Sequence, residues 1–168
     1  MTSSCEPAFF PWFALQVKYK HEKQVCRSLM AKEFNTFVPT YPSVHKNGSC
    51  FDLPLFPGYV FCRMDCSNPL PVVSTPGVFR VVSNGSDLDS IPDEEIEGIK
   101  RLLSAGLTAR PSKYYAPGQS VYFREGPFKG IRGVVIDVSS ERWLILSVHI
   151  LQRSVAVKLD REALLAWS

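Results

Sequence analysis

The sequence predicts an α+β chain in two modules, an antiparallel sheet flanked by helices followed by a small β-barrel of about five strands. Three observations lead there. Up to Leu103, apolar segments of strand length alternate with two amphipathic helical patterns. From Gly106 to Pro117 the chain is glycine, proline and polar residues without periodicity. Beyond that stretch, short β-branched or aromatic runs recur at regular intervals between Gly-rich or Ser-rich turns. The expected boundaries are a first module over residues 1–105, a linker over 106–116 and a second module over 117–168.

Trp12 to Tyr19 is an aromatic-rich apolar run that predicts the first strand, and it passes directly into a helix over Lys20 to Phe34. On that helix Val25, Cys26 and Leu29 share one face, while Lys20, Lys23 and Arg27 fall on the opposite one. Phe37 to Pro42 and Cys50 to Met64 predict further strands, joined by the polar turn Ser43 to Ser49. Bends are expected at Pro54 and Pro57, because proline has no N–H to give to a sheet ladder. Pro69 to Gly77 is broken by prolines and accommodates only a short helix or a loop. Val78 to Val82 reads as a strand, Asn84-Gly85 as a turn, and Ile91-Pro92 leads into a helix ending near Leu103. Asp93, Glu94 and Glu95 crowd the first turn of that helix and Lys100 and Arg101 the last, as the helix dipole favours. Ile96, Ile99, Leu102 and Leu103 supply its apolar stripe.

In the second module Ser120 to Glu125, Ile131 to Ser139, Arg142 to Leu151 and Ser154 to Leu159 predict the strands. Their aliphatic and β-branched runs favour strand over helix, so a barrel that does not switch to a helical form is expected.

Composition narrows the function. A hydrophobic content of 45% supports a core and excludes a disordered chain. A net charge of +3 falls short of the field expected of a protein that wraps duplex nucleic acid. The charge is unevenly spread: ten Lys and Arg against eleven Asp and Glu up to Leu103, then nine against five. Five cysteines form no regular framework, and the start of the chain lacks the order of a secretion signal, so reduced thiols and a cytoplasmic location are expected. Cys62 and Cys66 have a zinc-ligand spacing, yet no second pair faces them, and no metal is expected. No apolar run approaches the roughly twenty residues needed to span a bilayer. His21 and His45 have no partner at a catalytic spacing. The chain has no P-loop, nucleophile elbow, zinc-protease motif or paired carboxylates, so neither an enzyme nor a cofactor is expected.

Two glycine-punctuated aromatic signatures carry most of the information: Leu55-Phe56-Pro57-Gly58-Tyr59-Val60-Phe61, and Gly126-Pro127-Phe128-Lys129-Gly130 with Gly133. Together with Trp12-Phe13, Thr75-Pro76-Gly77-Val78 and Asp93-Glu94-Glu95-Ile96 they resemble the NusG family of transcription elongation factors. The first 103 residues look like its amino-terminal (NGN) domain. Pro117 to Trp167 is similar to its KOW domain, an SH3-like barrel, so the resemblance covers nearly the whole chain.

The resemblance implies a monomeric factor that rides on RNA polymerase, docking on the clamp helices of the largest subunit, reducing pausing and promoting antitermination. Trp12, Phe13, Phe56, Pro57, Gly58 and Tyr59 match the motifs expected to touch polymerase. Lys18, Lys20, Lys23 and Arg27 are placed for contact with non-template DNA. In the barrel, Phe128, Lys129, Ile150 and Arg153 match the surface that takes a small-subunit ribosomal protein or Rho. Gln152 stands where a typical member has Gly, which points to a specialised paralogue of the RfaH type. A ribosome-associated or RNA-binding KOW protein is the alternative. It would account for the basic second half but has no need of an apolar docking hollow in the first module.

Overall fold

The computed structural model of the chain describes residues 10–115, 120–126 and 128–159; Pro117, Pro127 and Trp167, named above, lie outside them. The first module holds β1 (Trp12–Val17), α1 (Glu22–Ala31), β2 (Thr36–Phe37), β3 (Thr40–Val44), β4 (Cys50–Pro54), β5 (Tyr59–Arg63), α2 (Leu70–Val73), β6 (Val78–Val81) and α3 (Asp93–Ser104). The second holds β7 (Ala109–Lys113), β8 (Ser120–Tyr122), β9 (Arg132–Val138), β10 (Glu141–Val148), a 3-10 turn (His149–Leu151) and β11 (Arg153–Leu159).

The first sheet runs β2-β5-β1-β6, with β1 antiparallel to both β5 and β6, while β3 and β4 form a separate hairpin. Side chains alternate across a strand, so successive residues of β1 serve two different cores. Phe13, Leu15 and Val17 join Val60 and Cys62 under Val25 and Leu29 of α1 and Val72 of α2. Trp12 and Ala14 join Phe61 on the opposite face, under Ile96, Ile99 and Leu102 of α3.

Helix α1 is shorter at both ends than its amphipathic pattern suggests, because Lys20 and Glu33 adopt left-handed backbone at φ 65° and 67°. At the C-terminal end Glu33 N–H donates to Met30 C=O and Phe34 N–H to Leu29 C=O, the pairing of a Schellman stop with Glu in the place glycine usually takes.

The second sheet is antiparallel throughout, in the order β7-β11-β10-β9-β8. The expected linker is corrected here. Residues 109–113 are the edge strand β7, paired to β11 with Ala109 opposite Val157 and Pro111 opposite Val155. Its composition hides this: Ala-Arg-Pro-Ser-Lys has little strand propensity, and an edge is where a sheet tolerates proline. The strand anticipated over Arg142 to Leu151 gives way to the 3-10 turn after Val148.

The two modules share one core. Leu144, Leu146, Val148 and Val155 of the second sheet belong to the same buried cluster as Trp12, Phe56 and the α3 stripe. Helix α3 meets β10 at Gly98, where an added Cβ would lie 3.1 Å from Leu146 Cδ2, so glycine permits the close approach.

The packing sets the expected outcome of three measurements. A Cβ added at Gly133 in β9 would stand 2.7 Å from both Ile145 O and Leu144 Cδ1, and the backbone oxygen cannot step aside. Gly133→Ala should therefore cost about 1–3 kcal/mol, read as a lower urea midpoint for the full chain. Burial, and secondarily the neighbouring Cys26, pushes the Cys62 thiol up to about 12. At pH 8 a thiol reagent should modify exposed Cys50 and Cys66 in the folded protein and spare Cys62. Because the folded pKa lies above the unfolded one, Cys62 contributes stability that is complete below about pH 9 and declines as pH rises toward 12. Cys62→Ala should flatten that part of the stability profile.

Candidate functional site

The glycine-rich bend before β5 is a tight turn with two anchors. Tyr59 N–H donates to Phe56 C=O at 3.1 Å, with Pro57 and Gly58 at the two central positions and Gly58 at φ 82°. Pro57 presets the first angle and Gly58 takes the positive φ that this turn type requires. The turn is then tied to the rest of the module: Val17 N–H donates to Gly58 C=O at 2.9 Å, and Gly58 N–H donates to Glu22 Oε1 at 2.8 Å.

The turn separates its aromatics by role. Phe56 is 1% exposed and meets Phe61 edge to face at 5.4 Å. Tyr59 is half-buried and lies opposite Gln16, on the sheet face away from α1 and α2. Trp12 is fully buried on that same face, with Arg63 Cζ 4.7 Å and Lys100 Nζ 4.5 Å from its ring centroid. Its indole N–H has no hydrogen-bond partner among the described residues. Phe13 is buried on the other face, among Val25 and Leu29 of α1. Of the six residues expected to meet polymerase, then, Trp12, Phe13 and Phe56 are interior, and Phe13 cannot share a contact surface with Tyr59. Pro57, Gly58 and Tyr59 form the accessible rim.

In the second module Phe128 is corrected from a loop-tip contact to a core residue: it is 1% exposed and packs on Phe123 at 5.2 Å. The reason is the loop closure around it, in which Ile131 N–H donates to Phe128 C=O and Gly130 N–H to Phe123 C=O. Lys129 is exposed beside it, Ile150 is half-buried and Arg153 is exposed.

Ile150 and Arg153 flank a turn that rests on the first module. His149 N–H donates to Glu95 Oε2 of α3 at 3.2 Å, and the His149 ring Nδ1 is bonded to the other oxygen of the same carboxylate. Gln152 holds left-handed backbone at φ 50°, and its side-chain amide donates to His149 C=O at 2.7 Å. Arg153 Cζ stands 5.3 Å from the Tyr59 ring centroid, a cation–π distance. The two surfaces singled out in the sequence therefore face each other, and Tyr59 and Arg153 are their point of contact.

Lys18, Lys20, Lys23 and Arg27 are all exposed. Lys20 lies over the Tyr19 ring at 5.6 Å, and Lys23 approaches Asp52 at 4.0 Å, a weak exposed pair. Lys23 and Arg27 project from α1, which packs on the sheet face opposite to that of Tyr59.

Sequence reasoning missed Glu22, Glu95, His149, Arg63 and Lys100 as parts of this region. Glu95 and Lys100 were legible only as complements to the α3 dipole. The Glu95–His149 pair spans 54 positions and Arg63–Asp93 spans 30, separations at which no local spacing signals a contact. Among the described residues no group of three or more His, Cys, Asp or Glu is arranged to hold a metal, and no helix is long and apolar enough to cross a membrane.

Comparison with known proteins places this architecture. Residues 10–100 match the family model described as transcription termination factor nusG. The transcription termination/antitermination protein NusG of Pseudomonas aeruginosa is 31% identical over 166 residues, covering 89% of this chain and 94% of that protein. The protein of the same name from Escherichia coli O6:H1 is 34% identical over 167 residues, covering 89% of this chain and 92% of the relative. Among solved structures, one titled for domain interaction in Thermotoga maritima NusG shares the fold at a TM-score of 0.53 and 21% identity, over 88% of this chain and 92% of that one. With its first module matched by the family model and both modules covered by these relatives, the chain belongs to the NusG family.

Proposed function

We propose that this protein is a transcription elongation factor that binds RNA polymerase through the rim at Pro57, Gly58 and Tyr59, reduces pausing and promotes antitermination. The relatives' role in transcription termination and antitermination supports the reading. The observation that carries it is the turn at Phe56–Tyr59, which buries one aromatic as a foundation and leaves the next half-buried on the sheet face that carries α3. A rigid, partly desolvated tyrosine at the centre of a polar rim is the kind of anchor that dominates protein interfaces. The apolar tip of a helical hairpin on the polymerase clamp is a fitting occupant.

Arg153 of the second module now lies over Tyr59, so engagement requires that module to move off the face. The movement also frees the His149–Arg153 turn from Glu95, and with it Ile150 and Arg153 as contacts for a second protein, for which a small-subunit ribosomal protein and Rho are the candidates. Lys18, Lys20, Lys23 and Arg27 serve as a salt-sensitive, sequence-blind contact to the non-template strand.

Binding of the full chain to purified RNA polymerase tests the docking surface. Tyr59→Ala should weaken binding by about 2 kcal/mol, some thirtyfold, with little change in stability because the ring is only half-buried. Phe56→Ala should instead destabilise the fold by about 3–5 kcal/mol as an emptied core position. Equal affinity of wild type and Tyr59→Ala would remove the rim from the interface. Retention of wild-type protein on ribosomal RNA but not on polymerase would favour an RNA-binding KOW protein instead. Read-through of a terminator that does not respond to the protein on any template would remove antitermination.

A further inference from the structure

Beside the docking rim lies a buried carboxylate, that of Glu22, which is 4% exposed. A carboxylate out of water is costly unless its charge is met. Among the described residues no lysine, arginine or histidine pairs with it. Two things meet the charge instead. Glu22 is the first residue of α1, where the helix dipole favours an anion. Its Oε1 accepts the Gly58 N–H at 2.8 Å, a charge-assisted bond to backbone.

That bond supplements the others that hold the turn. Phe56 C=O and Tyr59 N–H satisfy each other, and Gly58 C=O is taken by Val17 N–H of β1. Gly58 N–H is the group through which the turn bonds to α1. Its φ of 82° is one that most residues avoid and that glycine, being permissive, does not itself enforce. An external acceptor is a further constraint on this conformation, beside the turn's own hydrogen bond and the Val17 N–H. The chain supplies it from 36 positions away, on a helix that lies on the other face of the sheet from Tyr59.

We propose that Glu22 is the positioning residue of the docking rim: through the Gly58 N–H it holds the Phe56–Tyr59 turn in the form that presents Pro57 and Tyr59 to a partner. Glu22 itself touches no partner. This role rests on the docking reading above and adds to it a residue whose effect passes through the backbone of the turn.

The test uses the full-length protein with Glu22→Ala, Glu22→Gln and, as a control on the exposed side of the same helical turn, Gln24→Ala. Two measurements are made on each. Amide exchange and chemical shift of Gly58, followed by NMR in the free protein, report the turn without reference to polymerase. Affinity for purified RNA polymerase reports its consequence. Glu22→Ala should lose Gly58 protection and bind polymerase about tenfold more weakly, whereas Glu22→Gln, which keeps an acceptor oxygen, should recover most of both. Gln24→Ala should match wild type in both.

A Gly58 amide unchanged in Glu22→Ala would overturn the proposal. So would a deprotected Gly58 with undiminished polymerase affinity. If the Ala variant does not fold, Glu22→Asp decides: its carboxylate, one methylene shorter, should leave Gly58 less protected and polymerase binding weaker than in wild type, and wild-type values for both would refute the role. Wild-type protein that fails to bind polymerase defeats the docking reading itself, and the positioning role with it. That result is distinct from a loss confined to the Glu22 variants.

Discussion

The first sheet has two apolar faces and must cover both. Helices α1 and α2 close one of them over Phe13, Leu15 and Val17. Helix α3 alone is a narrow cover for the other, and the structure completes it with the second module, so that Trp12, Phe56 and Phe61 continue through Ile96, Ile99 and Leu102 into Leu144, Leu146 and Val155. Removing apolar area from water is the main favourable term in such packing, and it sets where the two modules sit. Gly98 eases the approach, since a Cβ there would lie 3.1 Å from Leu146 Cδ2 and oblige that side chain to shift.

Polar groups set the alignment at this seam without supplying much of its strength. The Glu95 carboxylate takes both the backbone N–H and the ring of His149, and Arg153 covers Tyr59. Pairs that keep contact with solvent are worth little individually, so their contribution is direction. Within the first module the Trp12 indole N–H, beside Arg63 and Lys100, has no hydrogen-bond partner among the described residues. A contact between modules that is apolar at its centre and polar at its edge is of a kind that can open without unfolding either module.

The strands and helices of the first module were largely legible in the sequence because each rests on a local pattern. Alternation of Trp12, Ala14 and Phe61 against Phe13, Leu15 and Cys62 follows from the pleat, and the stripe Ile96, Ile99, Leu102 from the helical turn. The Pro57-Gly58 pair announced its bend for the same reason. What escaped was non-local. Strand β7 has no strand composition and exists because β11 offers it a ladder. Phe128 sits in a glycine-rich loop that reads as a display site, yet the loop folds back and places the ring against Phe123. Glu22 looked like one more residue of a charged helix, although its carboxylate is buried against a backbone amide far along the chain.

Residue order alone determined the two modules, their α+β and all-β characters, the aromatic bend and the family to which they belong, since periodicity, turn chemistry and motif spacing act over a few residues. Only the tertiary structure decided which aromatics are foundation and which are surface, that Arg153 meets Tyr59, and that one carboxylate holds the bend. Those outcomes depend on which apolar faces find each other once the chain has closed on itself, and no stretch of sequence contains both partners.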